Sequence, residues 1–119
     1  MAIYVSKGET STGLDISCDS MFILKGGTAE KTKLNDEGDM YVYSGGTAIE
    51  TEINEYGHMF VSKGGTVKQT TVTPYGWMYV SNGGTASDTT VNYRGCMIIS
   101  KGGKATETTV SSGGSMIVS

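Results

Sequence analysis

Residues 83–101 read Gly-Gly-Thr-Ala-Ser-Asp-Thr-Thr-Val-Asn-Tyr-Arg-Gly-Cys-Met-Ile-Ile-Ser-Lys, and this pattern recurs every 19 residues over most of the chain. The Gly-Gly pairs that open the repeats are Gly26-Gly27, Gly45-Gly46, Gly64-Gly65, Gly83-Gly84 and Gly102-Gly103. Methionine recurs with the same period, at Met21, Met40, Met59, Met78, Met97 and Met116. A fixed period of this length predicts a solenoid, in which each repeat buries its apolar side by stacking on its neighbours.

Each repeat contains short stretches with the period of two that is typical of β-strands. In Met78-Tyr79-Val80-Ser81, the Met and Val side chains share one face and the Tyr and Ser side chains share the other. We predict that the uniform Met and Val/Ile columns face the core, together with Thr70 and Val72, and that the variable columns face water. Glycine interrupts every repeat, so no helix of useful length fits.

The sequence therefore predicts an all-β fold: a right-handed parallel β-helix, or β-solenoid, of about six 19-residue coils. Each coil is expected to have two strand regions and two turns, where the Gly-Gly pairs and stretches such as Asn54 to Gly57 adopt positive φ at little cost. Residues 1–119 form a single domain, in which residues 8–25 are an irregular N-terminal coil and residues 26–119 are five regular repeats. In the irregular coil, Glu9 replaces the second glycine and Asp19 the lone glycine.

The composition excludes several classes of protein. A net charge of −3 is too mild to predict nucleic-acid binding, and no apolar stretch is long enough to insert into a membrane as a helix. No secretory signal is visible before Ile3, because the chain enters its first strand without a basic start or a long apolar segment. The expectation is either a piece excised from a longer protein or a small intracellular protein.

Residues that could carry chemistry are few and scattered. Cys18 and Cys96 are predicted to lie four coils apart, about 19 Å along the rod, which is too far for a disulfide. His58, the only histidine, belongs to a variable column that should be exposed. The acidic residues within 36–39 and 50–55 are interpreted as a solvated surface, because constant coil length leaves no loop to wall a groove. We predict no catalytic residue, no metal and no cofactor, and hence no enzyme.

One outward column is aromatic. It contains Tyr4, Phe22, Tyr41, Phe60 and Tyr79 and continues as Ile98 and Ile117, with Trp77 near the adjoining turn. Stacked rings stabilise a sheet through contacts along one face, and an exposed apolar ribbon is also typical of a binding surface. Both interpretations stay open. If the chain has a contact face, its predicted residues are Phe22, Tyr41, Phe60, Tyr79 and Trp77.

The repeat unit resembles a known family. Its glycines, Thr89, the pair Val91-Asn92 and the Val-Ser pair at Val80-Ser81 are similar to the AIDA-type strand-loop-strand repeat of self-associating autotransporter adhesins, which belong to diderm bacteria. The resemblance covers nearly the whole chain. It implies a rod at the bacterial cell surface, or secreted, that mediates adhesion or self-association. In that family a dedicated glycosyltransferase heptosylates serines beside the strand ends. The corresponding serines here are Ser6, Ser44, Ser62, Ser81 and Ser100.

Two functions are therefore expected. The first is a non-enzymatic adhesin passenger segment whose partners are a host-cell surface, another protein or a second copy, with a glycosyltransferase as a further partner. The alternative is a small complete cytoplasmic β-solenoid, for example phage-encoded, that binds and blocks a host protein. In either case open strand edges predict end-to-end dimers or oligomers through the C-terminal coil that ends at Ser119.

Overall fold

The computed structural model describes residues 2–118, which form short β-strands in three parallel sheets. Sheet A contains β1 (Ala2–Val5), β4 (Ser20–Ile23), β7 (Asp39–Val42), β10 (His58–Val61), β13 (Trp77–Val80), β16 (Cys96–Ile99) and β19 (Ser115–Val118). Sheet B contains β2 (Thr10–Thr12), β5 (Thr28–Glu30), β8 (Thr47–Ile49), β11 (Thr66–Lys68), β14 (Thr85–Ser87) and β17 (Lys104–Thr106). Sheet C contains β3 (Asp15–Ser17), β6 (Lys33–Asn35), β9 (Glu52–Ile53), β12 (Thr71–Val72), β15 (Thr90–Val91) and β18 (Thr109–Val110).

Neighbouring strands of each sheet come from successive coils and run parallel. In sheet A, Met59 lies beside Met40 on one side and beside Met78 on the other, so the period of the sequence is also the register of the sheet. The prediction of an all-β parallel solenoid of about six coils is confirmed. The predicted end point of self-association, Ser119, lies outside the described residues.

No helix of the described residues is long and apolar enough to cross a membrane.

Each coil has three strands and three corners, so the prediction of two strand regions and two turns was wrong. The additional corner lies between sheets B and C. In the coil of residues 64–82 it falls at Gln69, which has φ of +54° and donates its backbone N–H to the carbonyl oxygen of Ser87 in the next coil. In the five regular coils neither glycine nor proline marks this corner, whereas the irregular coil has Gly13 there, with φ of +73°.

The core consists of stacked columns of like residues. Met59 and Val61 of sheet A, Val67 of sheet B and Val72 of sheet C are all fully buried in one coil. The predicted inward direction of the Met, Val/Ile and Thr-x-Val columns is confirmed. The core is narrow, and the flexible methionine side chain suits it because it adapts to irregular gaps.

The two corners marked by glycine depend on different physical properties. At the Gly-Gly corner, Gly83 has φ of +84°, the value that the third residue of a type II turn requires. At the other corner, in the predicted turn from Asn54 to Gly57, the residue with positive φ is Tyr56, at +60°, and not the glycine. Gly57 is needed for space instead, because a Cβ atom there would lie 2.6 Å from the carbonyl oxygen of Leu34 in the preceding coil.

The irregular coil of residues 8–25 also has three strands, although its turn residues differ from those of the regular coils. Its strands β2 and β3 pair with β5 and β6. Glu9 accepts a hydrogen bond from the backbone N–H of Ser6 at Oε1 (2.6 Å) and donates its own N–H to the carbonyl oxygen of Ser6 (2.9 Å). The backbone hydrogen bond closes this turn as it does in the regular coils, where Gly84 donates its N–H to the carbonyl oxygen of Ser81, and the Glu9 carboxylate adds a second contact.

A column of threonines lies inside the corner between sheets B and C. Its members are Thr32, Thr51, Thr70, Thr89 and Thr108. Within residues 2–118 their hydroxyl oxygens are buried and have no hydrogen-bond partner. A buried hydroxyl without a partner costs about 1–3 kcal/mol, so this column opposes the stability that the apolar columns supply.

Candidate functional site

The outer face of sheet A carries the aromatic column because its strands alternate inward and outward residues. In β10, Met59 and Val61 are buried, and Phe60 between them points outward. The parallel register places the outward ring of each strand beside the ring of the next. We call Tyr4, Phe22, Tyr41, Phe60 and Tyr79 the aromatic ladder.

The rings of the ladder stack on one another at nearly constant spacing. Successive ring centroids are 5.1, 5.1, 4.9 and 5.2 Å apart, and the ring planes differ by 3° to 17°. Each inner ring is half-buried, because its two faces are covered by its neighbours. The ladder therefore presents ring edges to the outside, and Tyr4 at its end is 62% exposed.

Two further rings stack beside the ladder. Tyr43 stacks beside Phe22 and Tyr41, with centroids 6.1 and 6.4 Å away, and Trp77 stacks beside Tyr79 at 5.9 Å. The structure thus brings Trp77 to the ladder, as the sequence predicts. Sequence reasoning missed Tyr43, which follows the last residue of β7 but continues its alternation two residues after Tyr41.

His58 joins the aromatic face to a carboxylate. Its ring lies edge-on to the rings of Phe60 and Trp77, and its Nδ1 is 3.4 Å from Oδ1 of Asp39 in the neighbouring strand. Burial raises the pKa of the Asp39 carboxyl more than His58 lowers it, and Glu37 raises it further. Burial, and after it Asp39 and Tyr43, raises the pKa of Tyr41. The face is therefore partly desolvated around its centre.

The predicted serines line the corner between sheets A and B, where the type II turns lie. Ser6, Ser81 and Ser100 are exposed, and Ser62 is half-buried. Ser44 is also exposed but lies one place later in its coil, because Tyr43 occupies the position that serine has in the other coils. These hydroxyls form an interrupted column along one edge of the aromatic face.

A second aromatic cluster lies at the corner that precedes sheet A. Tyr56 and Tyr75 stack with centroids 5.7 Å apart, and Arg94 in the next coil donates a hydrogen bond to the hydroxyl of Tyr75 (3.0 Å). The guanidinium of Arg94 also lies 5.1 Å from the centre of the Tyr93 ring. Sequence reasoning missed the role of Arg94, although its position 19 residues after Tyr75 is visible.

The remaining candidate residues stay apart. Cys18 and Cys96 are free thiols, and burial raises the pKa of Cys96. Within residues 2–118 no three histidine, cysteine or acidic side chains form a group that could hold a metal ion. Glu50 and Glu52 are exposed and line a shallow surface groove together with Thr71.

Comparisons with known proteins identify relatives of this solenoid. A family model described as an adhesin of the bacterial autotransporter system, probable stalk, matches residues 16–76 and 75–114. Among solved structures, a crystal structure of the TibC-catalyzed hyper-glycosylated TibA55-350 fragment superposes with a TM-score of 0.85 at 30% sequence identity. The similarity covers 99% of this chain and 50% of that fragment, so the chain spans about half the length of the relative. No curated protein matches the sequence significantly.

Proposed function

Because the chain belongs to the adhesins of the bacterial autotransporter system, we propose that it is a non-enzymatic stalk segment of a surface-exposed or secreted adhesin. The observation that carries this proposal is the family match, which extends from residue 16 to residue 114. The segment works passively. Its sheets hydrogen-bond coil to coil along the rod, and this continuous pairing keeps surface residues at fixed positions while they meet a partner.

The contact face in this proposal is the outer side of sheet A, with Phe22, Tyr41, Phe60, Tyr79 and Trp77. Its support is composition and continuity: the rings form one apolar ribbon across five coils, and Trp77 is 37% exposed. Aromatic side chains are enriched where proteins bind one another. The partner is a host-cell surface, another protein or a second copy of the stalk.

The proposal includes serine glycosylation by a dedicated glycosyltransferase. Its support is twofold: the similar TibA fragment was hyper-glycosylated by TibC, and Ser6, Ser44, Ser81 and Ser100 are exposed at one corner of this solenoid. Ser62 belongs to the same column but is half-buried. We therefore expect Ser81 and Ser100, on successive coils, to be better acceptors than Ser62.

End-to-end self-association belongs to the same proposal. Val110, Ile117 and Val118 in the last described coil are 41%, 52% and 65% exposed. The strands β17, β18 and β19 also have a neighbour on one side only. Unpaired strand edges next to exposed apolar side chains favour pairing with another strand, supplied either by a further coil of a longer stalk or by a second copy.

An antibody against the chain, applied to intact source cells, tests the proposed location. We expect binding at the surface, loss of the signal when intact cells are treated with protease, and a species larger than the 12.5 kDa of the chain. The same antibody should inhibit adhesion or clumping of the cells. A 12.5 kDa species confined to the cytosol would overturn the proposal and favour an intracellular binding protein.

Mass spectrometry of the native protein tests the modification. We expect sugar mass on peptides that contain Ser81 or Ser100, and its loss in the variants Ser81→Ala and Ser100→Ala. Ser112 is the matched control, since it is an exposed turn serine at a different corner. Equal modification of Ser112 would contradict recognition of the column, and unmodified Ser81 and Ser100 would remove glycosylation from the proposal without affecting the adhesin stalk.

A further inference from the structure

The two edges of the contact face carry opposite charges. Strands of sheet A begin at a corner where Asp36, Glu37 and Glu55 are exposed. They end at a corner where Lys7, Lys25, Lys63 and Lys101 are exposed, and Glu9 is an exposed carboxylate at the same corner. The aromatic ladder runs between the two edges. One basic residue, Arg94, interrupts the acidic edge, beside the strand that leads to Lys101.

Two copies can place their sheet A faces together about a two-fold axis in only two simple ways. If the axis lies along the strands, the rods are antiparallel, and acidic edge meets acidic edge while basic edge meets basic edge. If the axis lies along the rod, the rods are parallel, and the acidic edge of each copy meets the basic edge of the other. Charge complementarity selects the parallel arrangement, because like charges across an interface oppose binding.

We propose that the chain forms a parallel dimer through sheet A, with the two aromatic ladders side by side along the two-fold axis. This inference rests on the proposed function, in which the same sheet is the contact face, and names a second copy as its partner. The area is sufficient. Seven strands about 4.8 Å apart, with four residues and two corners each, give about 650 Å² per copy. The total of about 1,300 Å² lies near the lower end of specific interfaces.

The parallel arrangement pairs charges from the same level of the two rods. Glu55 precedes β10 and Lys63 follows β10, so Glu55 of one copy faces Lys63 of the other, and symmetry forms this pair twice. By the same rule Arg94 before β16 faces Lys101 after it, so this level opposes the parallel dimer, but antiparallel rods would bring Lys25 to Lys101 as well. Antiparallel rods would instead bring Glu55 to Glu55 and Lys63 to Lys63, since β10 is the fourth of seven strands in sheet A. The two arrangements therefore predict different responses to a charge exchange.

Cross-linking reads the orientation directly. In the Cys18→Ser, Cys96→Ser background, Ile98→Cys places a thiol on β16, the sixth strand of sheet A, in line with the ladder. In parallel rods this thiol faces the same thiol of the second copy, whereas in antiparallel rods it faces Phe22 of the second copy. The thiol of Phe60→Cys lies on the central strand and faces the same thiol of the second copy in both arrangements, so this variant serves as the control. A short bismaleimide is used because facing sheets lie about 10 Å apart, too far for a disulfide.

We expect Ile98→Cys to give a covalent dimer. The chain is produced without glycosylation for this experiment, because a glycan on Ser81 would lie beside this face. The rods would be antiparallel if Phe60→Cys forms a covalent dimer while Ile98→Cys cross-links only to a chain that carries Phe22→Cys. That result would overturn the proposal. A chain that stays monomeric in sedimentation at about 1 mM would overturn it as well. Surface location and adhesion measured on cells would be unaffected by either failure, so the proposed function is tested separately.

Charge reversal gives a second test in solution. We expect Lys63→Glu to weaken the dimer roughly tenfold, since the reversed pair occurs twice, and the added exchange Glu55→Lys to restore it. Lys68→Glu is the matched control, because it changes the same charge on the neighbouring sheet B. An equal effect of Lys63→Glu and Lys68→Glu, or no restoration by Glu55→Lys, would show that the two edges do not meet and would overturn the proposal.

Discussion

The carbonyl oxygen of Leu34 lies 2.6 Å from the position that a Cβ atom on Gly57 would occupy. The neighbour is backbone, so it cannot move aside as a flexible side chain could. We expect Gly57→Asn to lower the free energy of unfolding by about 1–3 kcal/mol, the usual cost of forcing atoms into a packed region. Urea denaturation followed by circular dichroism measures the loss.

Gly13 provides the control for this substitution. It has φ of +73° but no atom within 4 Å of a Cβ position, and asparagine tolerates such a backbone. We expect Gly13→Asn to change stability by less than about 0.5 kcal/mol. Equal losses at the two positions would contradict the close approach of the Leu34 carbonyl as the reason for glycine at position 57.

The buried hydroxyl of Thr70 has no hydrogen-bond partner within residues 2–118, whereas the hydroxyl of Thr73 lies 2.9 Å from the carbonyl oxygen of Ile53 and 3.0 Å from Oδ1 of Asn54. The same change, threonine to valine, should therefore have opposite effects. We expect Thr70→Val to stabilise the protein by about 1 kcal/mol and Thr73→Val to destabilise it by about 1 kcal/mol. Paired urea titrations measure both, and a loss of stability in Thr70→Val would contradict this account of the threonine column.

The sequence was sufficient to predict sheet A and the core because their residues repeat in type. Met59 and Val61 recur every 19 residues with a period of two between them, and this fixes both the strand and its inner face. The same alternation places Phe60 and Tyr79 in one outward column. The part of the candidate site that follows from strand alternation was therefore predictable from the sequence.

The third corner and the lateral contacts were not predictable in the same way. Lys31, Glu50 and Gln69 adopt positive φ at that corner, and their residue types give no sign of it because stacking of coils imposes the conformation. Tyr43 reaches the ladder from beyond its strand, and Arg94 reaches Tyr75 from another coil. Such contacts depend on how neighbouring coils superpose at the corners, which a pattern within one repeat does not specify.

The corner at Gln69 stores backbone strain that glycine would relieve. A residue with a side chain costs about 1–2 kcal/mol in this conformation, while glycine adds about 0.5–1 kcal/mol of entropy cost. We expect Gln69→Gly to raise the free energy of unfolding by about 0.5 kcal/mol. Lys68→Gly, one residue earlier and within β11, should lower it by about 0.5–1 kcal/mol. Guanidinium titrations compare the two variants, and a loss in both would show that the corner is unstrained.

The carboxyl of Asp39 should make stability depend on pH. Burial raises its pKa in the folded state above the ordinary value of about 3.9, so the folded protein holds this proton more tightly than the unfolded chain. Stability contributed by this group is therefore greatest below pH about 3.9 and is lost as the pH rises through the folded pKa. We expect Asp39→Asn to stabilise the protein more at pH 6.5 than at pH 3.5. Urea titrations at the two values measure the difference, and an equal or opposite change would contradict the desolvation of Asp39.

The stacking of Phe60 on Tyr79, with centroids 5.2 Å apart and planes within 3°, should contribute stability beyond the burial of each ring. A double-mutant cycle with Phe60→Leu and Tyr79→Leu measures this coupling, and we expect about 0.5–1.5 kcal/mol. Titrations are made at low concentration, so that dimerisation does not contribute.

The control cycle pairs Phe60→Leu with Ile98→Val, two strands away, where the losses should add within about 0.5 kcal/mol. A strong Phe60–Tyr79 coupling would mean that the ladder stabilises the rod through its ring faces and has mainly ring edges free for a partner. An absent coupling would mean that the rings contribute little to the rod, and contact with a partner would then be the better physical reason for an aromatic column.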